Sequence, residues 1–205
     1  MKVLLINGSP KSNGNTALAL NEMVQVFEKE GIEAEVYHIG NQAIRGCIGC
    51  GSCHKNGKCV FDDCVNEVAA KLAEADGLVV GSPVYYASAN SSLTALLDRL
   101  FFSCHCDLTM KVGASVAVAR RGGCSATFDQ LNKYFTISGM PLASSQYWNS
   151  VHGAAPGQAA EDLEGLQTMR VLAANMSFLM KSIDLGKKTF GLPEKERRVA
   201  TNFIR

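Results

Sequence analysis

The chain opens on a short apolar run, residues 2–6, that passes straight into Gly8-Ser9-Pro10. An apolar run of this length ended by a turn predicts a strand buried on both faces. Past the turn the period changes. Leu20, Met23, Val24 and Phe27 recur at helical spacing, which predicts a helix over 16–30 that Gly31 ends. The alternation then repeats. Strands are predicted over 33–39, 77–82, 111–119 and 141–148. Helices are predicted over 65–75, capped by Asp62 or Asp63, and over 92–104 and 125–138. A long last helix runs from 158 to about 185, with Leu166, Met169, Leu172, Met176, Leu179 and Ile183 on its buried face. Residues 40–63 fit neither period and are expected to be irregular.

Strands that alternate with helices imply a parallel sheet covered on both sides, because parallel neighbours need helical crossovers. Five such units predict an α/β, flavodoxin-like doubly wound sheet of five parallel strands, order 2-1-3-4-5. One domain is expected over 1–186, with a Cys-rich loop, 46–64, inserted after the second strand. A basic, polar tail over 187–205 follows. Its apolar end, Thr201-Asn202-Phe203-Ile204-Arg205, would rest on a partner subunit or else form a disordered terminus.

Composition narrows the function classes. The 205 residues carry a formal net charge of +1, so no basic field awaits nucleic acid. No apolar stretch reaches membrane-spanning length, and the first residues do not read as a signal peptide. A cytoplasmic location is therefore expected. Thiols stay reduced there, so the eight cysteines read as metal ligands or free thiols and not as a disulfide framework.

Four of those cysteines form a ladder, Cys47, Cys50, Cys53 and Cys59, spaced C-x2-C-x2-C-x5-C among Gly46, Gly49, Gly51 and Gly57. Thiolates this close can converge on one centre. A 4Fe–4S cluster suits the spacing. Zinc suits it less, since four-cysteine zinc sites usually come as two separated C-x2-C pairs. A metal-free loop of redox-active thiols is the third reading. Cys64 follows five residues after Cys59 and leaves the fourth ligand open between the two. Cys104 and Cys106, flanking His105, read as thiols packed at a helix end in preference to a soft metal site, and Cys124 reads as a packed thiol. Asp98 and Arg99 read as a structural ion pair, and Tyr147 and Trp148 as packing residues or an edge facing a cofactor or another subunit.

The second chemical feature is Gly8-Ser9-Pro10-Lys11-Ser12-Asn13-Gly14-Asn15-Thr16, between the first strand and first helix. Glycines free the backbone there, and N–H groups with Ser and Thr hydroxyls can surround a phosphate at the helix N-terminus, where the dipole favours an anion. It is neither a Walker loop nor G-x-G-x-x-G. The stretch G-S-P-K-x-x-G-N-T resembles the phosphate loop of NAD(P)H-dependent FMN reductases. Gly81-Ser82-Pro83-Val84-Tyr85-Tyr86 and Ala119-Arg120-Arg121-Gly122-Gly123 resemble that family's two flavin-ring loops. The cysteine ladder is similar to that of its iron–sulfur flavoprotein branch.

The resemblance implies an FMN-binding oxidoreductase that passes electrons from NAD(P)H or another low-potential donor to a small-molecule or protein acceptor. Ser9, Lys11, Ser12, Asn15 and Thr16 would hold the FMN phosphate. Pro83, Val84, Tyr85, Tyr86, Arg121, Gly122 and Gly123 would meet its ring. Cys47, Cys50, Cys53 and Cys59 would ligate a 4Fe–4S cluster. It further implies a homodimer or homotetramer, with the cluster of one subunit near the flavin of another. Two alternatives stand beside it: a cluster-free flavin or quinone reductase, and a non-enzymatic flavin electron carrier or redox sensor.

Overall fold

The computed structural model describes residues 1–197, 199–201 and 203. Strand β1 (Lys2–Asn7) lies inside a parallel sheet, between β2 (Glu33–His38) and β3 (Gly77–Tyr85). Successive β1 residues point to opposite faces: Val3 and Leu5 enter one core cluster, Leu4 and Ile6 the other. That two-sided burial is why the strand is apolar throughout. Helices α1 (Asn15–Lys29) and α6 (Leu163–Phe190) cover the first face through Leu20, Met23, Phe27, Met169, Leu172 and Met176. Helices α3 (Cys64–Glu74), α4 (Ser91–Ser103) and α5 (Cys124–Ile137) cover the second.

The sheet has six strands where five were expected. Its order is β2-β1-β3-β5-β6, with β5 spanning Val112–Ala119 and β6 spanning Ser150–His152. The extra strand is β4 (Ser88–Ala89), which folds back antiparallel on the end of β3. β3 itself continues to Tyr85, past the predicted stop at residue 82.

The fifth parallel strand is also displaced from 141–148 to β6. Leu142 touches the start of β5 in a single bridge to Gly113, and the chain then leaves the sheet. Ser145 ends the strand: its hydroxyl lies 2.6 Å from the Tyr147 carbonyl and 2.7 Å from Asn149 Oδ1, two local acceptors for its one hydrogen. Such local side-chain bonds compete with a strand ladder. Tyr147 and Trp148 end up exposed and against each other, ring centroids 5.1 Å apart.

The Cys-rich loop is less irregular than its composition predicts, since it holds a one-turn helix, α2 (Ser52–Asn56). Gly51 and Gly57 flank α2 at φ 67° and 71°, left-handed conformations that glycine adopts without strain. Asp63, not Asp62, caps α3 by accepting from the Val65 N–H at 3.2 Å. The last helix starts later than predicted, after a 3-10 turn at Gln158–Glu161, and runs on to Phe190 through Gly186. In the apolar end of the tail, Phe203 is exposed; Asn202, Ile204 and Arg205 lie outside the described residues.

Candidate cofactor edge and cysteine pocket

All five parallel strands run the same way, so the loops after β1, β3, β5 and β6 gather at one edge of the sheet. This is where doubly wound sheets hold their ligands. The loop after β1 is built by short local bonds. Ser9 N–H donates to Asn7 Oδ1 at 3.0 Å, Lys11 N–H donates to Ser9 Oγ at 3.1 Å, and His38 Nε2 lies 2.8 Å from the Ser9 carbonyl. Gly14 then starts α1 with no side-chain cap and no acidic residue in the first turn. The leading N–H groups of a 15-residue helix are thus left for an anion, with Ser9 and Thr16 buried beside them and Lys11 and Ser12 exposed. Asn15 is committed elsewhere. Its amide donates to the Ala155 carbonyl at 2.9 Å and accepts from Ala159 N–H at 3.3 Å, tying this loop to the one after β6.

Pro83 and Val84 lie within the end of β3, and Tyr85 and Ser88 close a hairpin over Tyr86 and Ala87. Both central residues have positive φ, 51° and 58°. A two-residue hairpin of this kind favours Asn and Gly at these positions, and a Tyr-Ala pair costs on the order of 1–3 kcal/mol per residue. Backbone strain of this kind clusters at ligand sites. Gly123, at φ 93°, lies under the hairpin. A Cβ there would stand 2.7 Å from Ala87 Cα and 2.8 Å from Val84 Cγ1. Arg120 and Arg121 line a cleft with His152, Gly153, Ala154 and Gln158, and neither joins an ion pair among the described residues.

Asn90 binds these loops into one unit, a role the sequence reading missed. It is buried; its N–H donates to Ser82 Oγ at 2.9 Å, its Nδ2 to the Gly8 carbonyl at 2.7 Å, and its Oδ1 caps α4 by accepting from Ser92 N–H at 3.1 Å. The signal was present: an Asn directly before Ser91-Ser92 and an apolar helix is an N-cap signature.

The cysteine ladder forms the second site. Cys47, Cys50, Cys53 and Cys59 line one pocket with Ile48, Val60, Phe61, Arg99, Phe102 and Ser103. Cys47 and Cys50 are exposed, Cys53 is buried and Cys59 half-buried. Among the described residues no three His, Cys, Asp or Glu side chains come close enough to share a single metal ion. The thiols surround a space instead of closing on a point. Cys64 is not among the lining residues; it lies in the apolar core at the start of α3. Burial pushes its thiol up, and the Asp63 carboxylate adds to the effect.

Arg99 is the charge in this pocket. It is 1% exposed, and it pairs with Asp63 instead of Asp98. Nη1 and Nη2 donate to the two Asp63 carboxylate oxygens at 2.7 and 2.8 Å, and Nε and Nη2 donate to Cys59 Sγ at 3.3 and 3.2 Å. Burial works against both charges, but the hydrogen bonds and mutual attraction outweigh it: Asp63 is held below its ordinary value and Arg99 above. The Phe61 ring lies 4.5 Å from the Arg45 guanidinium carbon and 5.0 Å from that of Arg99. Asn66 fixes the Cys59 turn, accepting from Cys59 N–H at 3.0 Å and donating to the Cys59 and Phe61 carbonyls at 3.1 and 3.0 Å. Asp98 instead accepts from the Tyr134 hydroxyl at 2.5 Å. Sequence could have flagged Arg99, which interrupts the apolar face of Leu93, Leu96, Leu97 and Leu100.

The remaining cysteines lie outside this pocket. Burial, then the Cys104 thiol, pushes Cys106 up to about 12. Cys124 opens α5 with Sγ 3.9 Å from His152 Nε2.

Both sites have the chemistry their expected groups need. A phosphate finds an uncapped helix start and hydroxyls. An iron–sulfur cluster finds four thiols around a space that residues with hydrogen-bond donors also line. One of those donors is Ser103, whose buried hydroxyl has no partner in the protein.

Comparison with known proteins places the chain. Residues 1–155 match the family model described as NADPH-dependent FMN reductase. An iron–sulfur flavoprotein of Methanocaldococcus jannaschii is 37% identical over 191 residues, covering 89% of this chain and 99% of that protein. An iron–sulfur flavoprotein of Methanosarcina thermophila is 30% identical over 187 residues, covering 89% and 97%. Among solved structures, RosB with a bound riboflavin-phosphate intermediate superposes with a TM-score of 0.71 at 18% identity, over 100% of this chain and 94% of that one. An archaeal flavodoxin gives 0.59 at 14% identity, over 88% and 99%. These two likenesses speak to the fold, and the sequence matches speak to the lineage: the chain belongs to the NADPH-dependent FMN reductase family of oxidoreductases, with the iron–sulfur flavoproteins as its relatives.

Proposed function

We propose that the protein binds FMN at the C-terminal edge of the sheet and a 4Fe–4S cluster in the cysteine pocket, and that it passes electrons between them. The observation that carries this reading is the lining of one pocket by Cys47, Cys50, Cys53 and Cys59 beside a buried Arg99. The relatives' name, iron–sulfur flavoprotein, supports it. The phosphate falls to the N-terminus of α1, with Ser9, Lys11, Ser12, Thr16 and the Asn15 backbone N–H around it. The ring lies against Pro83, Val84, Tyr85 and Tyr86, above Gly122 and Gly123, with Arg121 at its side.

FMN supplies the two-electron chemistry and a cluster the one-electron chemistry. The chain's own part is to orient the ring, shield the cluster and shape the path. Helix α4 joins the two sites. Asn90, at its start, holds the flavin loops, and Arg99 holds Cys59 nine residues later, about 14 Å along the axis. NAD(P)H or another low-potential donor reduces the flavin, and a small molecule or protein accepts the electrons. No nucleic-acid or membrane partner is part of this reading: net charge is +1, and among the described residues no helix is long and apolar enough to cross a membrane. A homodimer or homotetramer is supported by exposed Phe178 and Leu185, seven residues apart on α6.

Anaerobic titration of FMN-loaded protein with NADPH, followed in the flavin band, tests the donor. Bleaching in proportion to added NADPH supports the reductase reading. A band unmoved by NADPH and bleached by a reduced ferredoxin-type donor would restrict the protein to carrying electrons from such donors.

A further inference from the structure

Ser103 is one of two buried hydroxyls without a partner among the described residues, the other being Thr127. It lines the cysteine pocket and lies four residues after Arg99 on α4, so the two side chains occupy one helix face. A buried hydroxyl left unpaired costs on the order of 1–3 kcal/mol. That cost disappears if the pocket holds an acceptor. Arg99 bears on the same pocket: besides the two N–H groups it gives the Asp63 carboxylate and one it gives the Arg45 carbonyl at 3.3 Å, its Nε and Nη2 both donate to Cys59 Sγ.

We infer that Arg99 and Ser103 form a hydrogen-bonding wall that raises the reduction potential of the iron–sulfur cluster. Arg99 donates two charged N–H bonds to the Cys59 thiolate, and Ser103 donates its O–H to a second sulfur of the cluster. Donors to ligand sulfur withdraw electron density and favour the reduced state. When the cluster is reduced, one electron enters from the donor and no bond to the protein is made or broken. Asp63 cancels most of the Arg99 charge, so the pocket presents directed N–H dipoles with little net charge. Asn66 holds the Cys59 turn in place. Arg99 and Ser103 are positioning residues for the cluster, and the inference rests on the cluster reading above.

The test is a mediated redox titration of the cluster in anaerobically prepared, FMN-loaded protein, wild type against Ser103→Ala and Arg99→Lys. Iron and acid-labile sulfide are counted in each sample. Ser103→Ala removes an unpaired hydroxyl and leaves the fold unstrained. The expected result is an unchanged iron count with the one-electron equilibrium shifted about tenfold toward the oxidised form, which is about 59 mV. Arg99→Lys keeps the charge but loses the fork, and shifts the same way. A purely structural role would leave the potential unmoved. Equal potentials at full iron content in both variants would overturn the inference while leaving the cluster reading intact. Wild-type protein without iron would sink the cluster reading itself.

Discussion

Asn90 and Arg99 stand nine residues apart, one capping α4 and the other inside it, and each fastens a different site. Asn90 Nδ2 donates to the Gly8 carbonyl at 2.7 Å; Arg99 Nη2 donates to Cys59 Sγ at 3.2 Å. One rigid helix therefore sets the distance between the phosphate loop and the cysteine pocket. Replacing Asn90 with Ala removes a helix cap worth about 1 kcal/mol and strands a buried carbonyl at about 1–3 kcal/mol. Lower stability together with weaker FMN binding is the expected outcome, measured by urea denaturation and by quenching of flavin fluorescence. FMN affinity equal to wild type would separate this residue from the site.

Thr16 is buried at the open start of α1. Thr16→Val keeps the shape and removes the hydroxyl. FMN binding should weaken by about 1–3 kcal/mol, the range for a hydrogen bond to a charged group. Riboflavin, which has no phosphate, should bind both proteins equally. An equal loss for riboflavin would mean that Thr16 acts on the ring side.

Gly123 has the conformation and the clearance that only glycine tolerates. Gly123→Ala would drive its methyl to 2.7 Å from Ala87 Cα, so the strained hairpin must move. The expected result is loss of FMN affinity with iron content retained, because the hairpin and the cysteine pocket are separate structures. Unimpaired flavin binding would show that the hairpin does not meet the ring.

Glu35 gives a pH signature. Hydrogen bonds from Lys2 and then Lys71, at 2.7 and 2.6 Å, hold its carboxyl below the ordinary 4.5. A depressed carboxyl stabilises the fold above its unfolded value and loses that contribution as pH falls through the folded one. The two lysines are raised above 10.5, mainly by the hydrogen bonds they donate to Glu35, so their share is lost only as pH rises through those raised values. Glu35→Gln should lower the urea midpoint at pH 7, and the gap should narrow as pH falls below 4.5. A gap that stays the same size as pH falls would contradict this account.

The fold was legible where burial dictates pattern. β1 and α1 show one continuous and one periodic apolar signal, and both formed close to their expected bounds. Pattern failed at 141–148, where the apolar content was right but Ser145 offers the backbone local partners that compete with the sheet. It also failed at β4, because a two-residue strand carries no period. Residues proposed for the sites through sequence-local chemistry, such as Ser9 and the four ladder cysteines, could be singled out from spacing. Those that act across the fold could not. Nothing in the sequence says that Asn90 reaches back to Gly8, or that Arg99 prefers Asp63, thirty-six residues away, to its neighbour Asp98. The uncertainty between Cys59 and Cys64 has the same origin: only the folded chain puts one thiol in the pocket and the other in the core.

The most direct measurement is the iron, acid-labile sulfide and FMN content of anaerobically purified protein, with Cys50→Ser alongside. The account predicts about four iron atoms and one FMN per chain in the wild type, and FMN without iron in the variant. Wild-type protein that holds FMN but neither iron nor sulfide would contradict it.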